Sequence, residues 1–197
     1  FEVQGFLIIR GVLNQEELAE YNRLLDCGNL PKTLEHHPVL GRYIDQLCGL
    51  AYRLDSPITM LEQLAPHQSR PMAGGNEPRN PSRAYFHQGS SRFCQGVRAV
   101  WALAEVPANA GGLILLPASH TVNIPVPDCV LNGEDDYLES LGMCLQPALQ
   151  AGDLLLHANT LAHGLRPWAY TEGPQRLASY EFISVYARPS NLSADCI

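Results

Sequence analysis

Ser56-Pro57-Ile58-Thr59-Met60-Leu61-Glu62-Gln63-Leu64 is where the period of this chain changes. Before it, apolar residues recur at helical spacing. After it, short β-like runs follow one another between Gly, Pro and Asn. Upstream, Asn14 is placed to cap a helix, with Glu17 at the capping-box position and Leu13 able to staple against Leu18. Leu18, Tyr21 and Leu25 then share a face that should meet the core. A second helix is predicted to start at Pro38, a favoured first-turn residue, with Leu40, Tyr43, Ile44 and Leu47 as its apolar stripe. Residues 6–12 read as a short strand ahead of both helices. Downstream, the runs at 58–64, 98–106, 112–116, 144–149, 153–157 and 176–187 read as strands. Several short strands after N-terminal helices predict a mostly β fold, a barrel or jelly roll with helices packed on one side. Residues 66–82 and 123–141 read as loops, the second carrying an acidic solvated turn at Glu134-Asp135-Asp136.

Size and charge narrow the function. The chain has 197 residues, 46% of them hydrophobic and 17% charged, which suits a single globular domain spanning 1–197 with a helical part to about residue 55. A net charge of −7 gives no electrostatic footprint for nucleic acid. No apolar run approaches the roughly 20 residues needed to span a bilayer. Phe1-Glu2-Val3-Gln4-Gly5-Phe6 has no basic n-region or cleavage pattern. The six cysteines show no C-x-x-C and no zinc spacing, so free thiols in a reducing cytoplasm are expected. Oligomeric state is not legible.

The chemistry-bearing residues lie in the β half. A strand turns residues two apart to the same side, so a His-x-carboxylate pair can offer two metal ligands from one strand end, with a second histidine brought by a distant strand. Here the order is Tyr85-Phe86-His87-Gln88-Gly89, then Gly152-Asp153-Leu154-Leu155-Leu156-His157, then Ala162-His163-Gly164, then Gln175-Arg176. Together with Gly111-Gly112-Leu113-Ile114-Leu115-Leu116-Pro117-Ala118-Ser119-His120 and the opening Phe6-Leu7-Ile8-Ile9-Arg10-Gly11-Val12-Leu13, that order resembles the phytanoyl-CoA dioxygenase family of iron(II)/2-oxoglutarate-dependent oxygenases. Ala118 replaces a glycine of the family's stretch.

The resemblance implies a double-stranded β-helix of the jelly-roll, cupin-like kind and an enzyme that uses Fe(II), 2-oxoglutarate and O2 on a small-molecule substrate. It implies His87 and His163 as iron ligands. It implies Arg176 as the residue that grips the distal carboxylate of 2-oxoglutarate, a task suited to a guanidinium fork; Arg166, three residues past His163, is the competitor. Gly89 stands where the family has aspartate and so decides the reaction. A glycine there leaves a coordination position for water, substrate or chloride, as in the halogenases of the superfamily, and is equally what a decayed site would show. Glu105 and Asp153 are not obvious replacement carboxylates. His157 can line the pocket or act as a third histidine, and His120 is expected to tether a loop. His36, His37 and His67 read as surface or capping residues, and Phe86 and Trp101 as core. The runner-up reading is a non-catalytic β-helix that binds a ligand or a metal.

Overall fold

The computed structural model describes residues 1–49, 51–61, 70–89, 91–132 and 142–185. His67, Glu134, Asp135, Asp136 and Cys196 lie outside these. Two sheets face each other. The larger has the order β1-β8-β6-β10-β2, formed by Phe6–Ile9 (β1), Leu154–Ala158 (β8), Gly96–Ala102 (β6), Leu177–Ser184 (β10) and Tyr52–Leu61 (β2). The smaller has the order β3-β9-β7, from Arg70–Ala73 (β3), His163–Arg166 (β9) and Gly112–Leu115 (β7). Tyr85–Gln88 (β4) and Ser91–Cys94 (β5) form a separate hairpin. All pairings are antiparallel.

Two helices cover one face of the larger sheet. Helix α1 (Gln15–Asp26) starts where expected: Asn14 accepts from the Glu16 and Glu17 amides, and the Glu17 side chain returns to the Asn14 amide. Helix α2 (Pro38–Cys48) has Pro38 in its first turn, and His37 caps it through Nδ1 while its ring packs edge-on to Trp101 at 5.2 Å. Leu18, Leu40 and Ile44 are buried against Val97, Ala99 and Trp101 of β6, Leu154 and Leu156 of β8, and Tyr180 and Phe182 of β10. Burial of each such side chain contributes about 1.5–3 kcal/mol.

Because strand side chains alternate, the other face of the same strands turns inward between the sheets. There Leu155, Val100, Ala102 and Leu177 meet Leu113, Leu115 and Leu165 of the smaller sheet. Among the described residues the sandwich therefore has two large apolar cores, one under the helices and one between the sheets, and a smaller cluster of Met72, Ile114 and Ala162.

Several expectations change. Strand β2 begins at Tyr52, ahead of the predicted period change, because Tyr52, Leu54, Ile58 and Met60 already alternate inward. Part of the 66–82 loop is strand β3, an edge strand whose Pro71 hides its extended character in sequence. Residues 144–149 make only single bridges, Leu145 to Leu115 and Leu149 to Val106. The 123–141 stretch contains a short helix α3 (Asp128–Asn132). Phe86 is not core; it stacks on Phe93 in the hairpin under the Arg79 guanidinium. Trp101 is fully buried as expected. Cys27, Cys48, Cys94, Cys129 and Cys144 are free thiols. Among the described residues no helix is long and apolar enough to cross a membrane.

Candidate functional site

Three polar residues interrupt the inward, apolar face of the larger sheet in one transverse row. Register places His157 of β8 opposite Arg98 of β6, and Arg98 opposite Glu181 of β10. All three turn to the interior because each is two residues from an inward leucine, valine or serine: Leu155, Val100 and Ser179. From the smaller sheet His163, the first residue of β9, faces them. Its ring centroid lies 4.7 Å from that of His157. The four elements enclose a cavity of about 210 Å³ lined by Arg98, His157, His163 and Ser179 on its polar side and by Leu61, Val100, Leu113 and Leu165 on its apolar side.

Both imidazoles are anchored through Nδ1. That of His157 lies 2.9 Å from the Ala158 carbonyl, and that of His163 lies 2.7 Å from the Leu161 carbonyl. A carbonyl only accepts, so each Nδ1 carries the proton and each neutral ring keeps its Nε2 lone pair. Burial holds the His157 pKa well below the ordinary histidine value, with His163 and Arg98 adding to the effect. His163 is pushed down to about 4, chiefly by burial, with the Arg98 and Arg83 charges adding. Both rings are therefore neutral near pH 7. The Nε2 of His157 is buried with no hydrogen-bond partner.

Glu181 is held from three sides. Its Oε1 accepts from Arg83 at 2.9 Å and from Asn159 Nδ2 at 2.8 Å, and its Oε2 accepts from Arg98 Nη2 at 2.9 Å. The glutamate side chain is 5% exposed and the arginines 45% and 32%. Asn159 reaches Glu181 by lying over Gly96, where a Cβ would come within 2.4 Å of its Nδ2. Two guanidinium groups against one carboxylate leave this cluster with an excess positive charge, and Arg98 brings it to the cavity, which suits an anionic ligand.

Of the residues the sequence singled out, His163 lines this cavity, and so does His157, expected to line the pocket or act as a third histidine. His87, Gly89 and Arg176 do not. The strand beside His163 is β3, and the residue opposite His163 there is Ala73. His87 is exposed on β4, with its ring against Tyr85 at 5.6 Å. Gly89 sits in the β4–β5 turn at φ +63°, where an added Cβ would meet nothing within 4 Å. Arg176 points to helix α1, bonding Asn22 Oδ1 at 2.9 Å and Asp26 Oδ1 at 2.7 Å. The Asn22 amide in turn donates to the Leu103 carbonyl, so Arg176 fastens α1 to the ends of β6 and β10. Arg166 closes β9 and lines a second cavity near Ile114 and Gln146.

The bystanders fall into structural roles. His120 is fully buried; its Nε2 lies 3.0 Å from the Glu2 carbonyl and its own carbonyl accepts from Thr160, so it does tether a loop. Asp153 is buried and accepts from Arg10 and from the Gly11 and Gln150 amides, pinning the turn before β8. Glu105 is exposed.

Two neutral imidazoles with fixed rings and one orphaned Nε2 fit two positions on a single metal ion. Their 4.7 Å separation matches the roughly 4.5–5 Å expected for rings at right angles on one ion at about 2.1 Å. Among the described residues no group of three His, Cys, Asp or Glu is placed to hold a metal.

Sequence signals missed here were Arg98, Asn159 and Glu181. A charged residue in the middle of an otherwise apolar strand, as in Val97-Arg98-Ala99-Val100-Trp101 or Tyr180-Glu181-Phe182, marks an interior polar site and was available to be read.

No family model matches the chain, and no curated protein matches it. Solved structures do. HygX from Streptomyces hygroscopicus, crystallised with nickel, 2-oxoglutarate and hygromycin B, superposes with a TM-score of 0.76 at 20% identity over 94% of this chain and 85% of its own. SnoN, a non-heme alpha-ketoglutarate-dependent epimerase from nogalamycin biosynthesis, gives 0.65 at 20% identity over 97% and 84%. ThoJ, a non-heme monooxygenase in its apo form, gives 0.64 at 14% over 96% and 78%. At these identities the likeness is one of fold.

Proposed function

We propose that this chain is an enzyme of the non-haem iron and 2-oxoglutarate kind, built on a double-stranded β-helix, and that it oxidises a small molecule in the cavity between its sheets. The observation that carries the reading is the pair His157 and His163. Both are neutral and fixed through Nδ1, and they face each other across the cavity with the His157 Nε2 unpaired. That is how histidine ligands are oriented for a metal by backbone acceptors. A metal held there supplies a Lewis-acid centre for co-substrate and oxygen. The chain's own side chains do the rest. Arg98 makes the polar wall electropositive for a carboxylate, and Leu61, Val100, Leu113 and Leu165 keep the other wall dry.

His163 carries over from the family resemblance, and His157 takes the place beside it that the resemblance gave to His87. Among the described residues no carboxylate joins the two imidazoles, and water or chloride can complete the set, so hydroxylation and halogenation both belong to the reading. The experiment is a titration of metal-free protein with Co(II) or Fe(II), followed by 2-oxoglutarate under exclusion of oxygen, watching the metal's absorption. One equivalent of metal, lost in His157→Ala and in His163→Ala, is the expected result. Products assayed with and without chloride then separate halogenation from hydroxylation.

A second reading, a metal-free binder of carboxylates on the same scaffold, draws on one observation: among the described residues no third ligand joins the two imidazoles. Binding of 2-oxoglutarate that is unchanged by chelation, with no metal uptake, would select it.

A further inference from the structure

Both imidazoles hang on one short turn. Ala158-Asn159-Thr160-Leu161 leads from β8 towards β9 and is closed by the Leu161 amide on the Ala158 carbonyl at 3.0 Å. That carbonyl also receives Nδ1 of His157, which its two lone pairs allow, and the Leu161 carbonyl receives Nδ1 of His163. A shift of the turn therefore rotates both rings. The turn is held from outside itself. The Asn159 amide donates to the Gly96 carbonyl at 3.0 Å, and the Gly75 amide donates to the Thr160 carbonyl at 2.7 Å. The side chain of buried Asn159 crosses to Glu181 at 2.8 Å. Gly74, at φ +115°, lies so close that an added Cβ would come within 2.5 Å of the Leu161 carbonyl oxygen.

We propose that Asn159 and Gly74 are positioning residues for the imidazole pair. Asn159 clamps the turn to Glu181 of β10, and Gly74 leaves the Leu161 carbonyl the room it needs to meet His163. This rests on the histidine pair being the metal site of the cavity. Neither residue touches a metal; each acts on the acceptors that aim the rings. Aim matters because an imidazole nitrogen presents its lone pair in the ring plane, and two rings share an ion only when both planes point at it. Glu181 gains a second part in this arrangement. It pairs with Arg83 and Arg98, and through Asn159 it also ties β10 to the turn that carries both acceptors. Because Asn159 works through Glu181, removing it from a chain that already lacks Glu181 should change the rings little.

The test uses the full chain with Co(II) as the probe. Affinity and the Co(II) absorption bands are measured for Asn159→Ala, for Gly74→Ala and for Asn159→Ala combined with Glu181→Ala, with thermal melts to verify folding. In parallel, nitrogen NMR of labelled histidine in the metal-free protein reports the ring tautomers, assigned with His157→Gln and His163→Gln. Asn159→Ala should lower Co(II) affinity about 10- to 100-fold, as is typical for outer partners of metal-bound histidine, and shift the bands. Its metal-free spectrum should lose the fixed Nδ1–H form at both histidines. Gly74→Ala should disturb His163 more than His157. The double variant should bind no more weakly than Glu181→Ala alone. Asn22→Ala, which loosens helix α1 at its bond to the Leu103 carbonyl, is the control: melting falls while affinity and tautomers stay. Asn159→Ala that melts lower yet keeps the wild-type affinity, bands and tautomers has a structural role only, which overturns the proposal and leaves the metal site standing. Gly74→Ala that folds with His163 unchanged also overturns it, and if that variant does not fold, Asn159→Ala alone decides. Wild type that takes up no Co(II) defeats the metal reading. The tautomers of metal-free Asn159→Ala then judge the positioning role: mixed forms uphold it, and unchanged forms overturn it.

Discussion

The chain carries histidines in two settings that sequence makes look alike. In the β4–β5 hairpin, His87 stands exposed on a two-stranded ribbon against Tyr85. Between the sheets, His157 and His163 are ordered by carbonyl bonds, face each other, and feel the charge of Arg98. A motif identifies which residue types occur and in what sequence. Only strand register decides which of them share a volume. The hairpin pairs with itself, whereas β6 lies between β8 and β10 and brings together residues more than 50 positions apart.

The sharpest way to break that contrast is metal affinity. His157→Ala and His163→Ala should each weaken Co(II) binding by about a hundredfold or more, beyond the 10–100-fold typical of outer partners, while His87→Ala changes it little. Equilibrium dialysis gives the answer directly, and a large loss in His87→Ala would return the metal to the hairpin.

Stability separates the regions next. Glu181→Ala strands two partly exposed guanidinium groups, those of Arg83 and Arg98. The cost should be about 2–3 kcal/mol, below the 3–5 kcal/mol of a fully buried pair because solvent screens both arginines. Urea unfolding of wild type and variant measures it, with Glu2→Ala on the exposed hairpin-side ion pair with Arg92 as the near-neutral counterpart.

Acid should act on the interior and spare the hairpin. Buried His157 and His163 are harder to protonate folded than unfolded, where histidine titrates near pH 6.5. Between that value and about 4 the unfolded chain binds more protons, so stability of the metal-free protein is full above pH 6.5 and falls as pH descends through this window. His120, also depressed by burial, adds in the same direction. Chemical melts at pH 7.5, 6 and 5 test the slope, and His163→Gln should flatten it.

The smallest effect belongs to Gly89. Gly89→Asp adds a side chain into open space at positive φ, at a cost of about 1 kcal/mol. Metal affinity should not rise. A gain in affinity on that substitution would mean that the hairpin folds over the cavity after all.

Local rules were read well from sequence. The capping box at Asn14 and Glu17, the start of α2 at Pro38 and the buried stripe of Leu40 and Ile44 depend on neighbours within a turn. The strands at 6–9, 112–115, 154–158 and 177–184 follow from apolar runs long enough to show. Strands of mixed composition did not: β4 (Tyr85-Phe86-His87-Gln88), β5 (Ser91-Arg92-Phe93-Cys94) and β9 (His163-Gly164-Leu165-Arg166) break their apolar residues with polar ones, unlike β1 and β7, and β3 begins with Arg70-Pro71. His163 was legible because it opens a strand after a recognisable segment. His157 was noticed but not placed, since its role depends on lying opposite Arg98. Arg176 follows the expected spacing but turns outward, because the residue two further along, Ala178, belongs to the helix-facing side of β10.

Strand β10 is the last described strand and it sits between β6 and β2 in the larger sheet. During synthesis the ribosome delivers it after everything it must pair with. Until then β6 has one edge open, and Arg98 waits for a glutamate 83 residues downstream. A fold dominated by such distant pairings closes slowly, and its unfinished form exposes strand edges that favour association with other chains. The amount of active protein a cell obtains should thus depend on how fast this final strand docks, and substitutions in 177–184 should lower yield before they alter any property of the finished molecule.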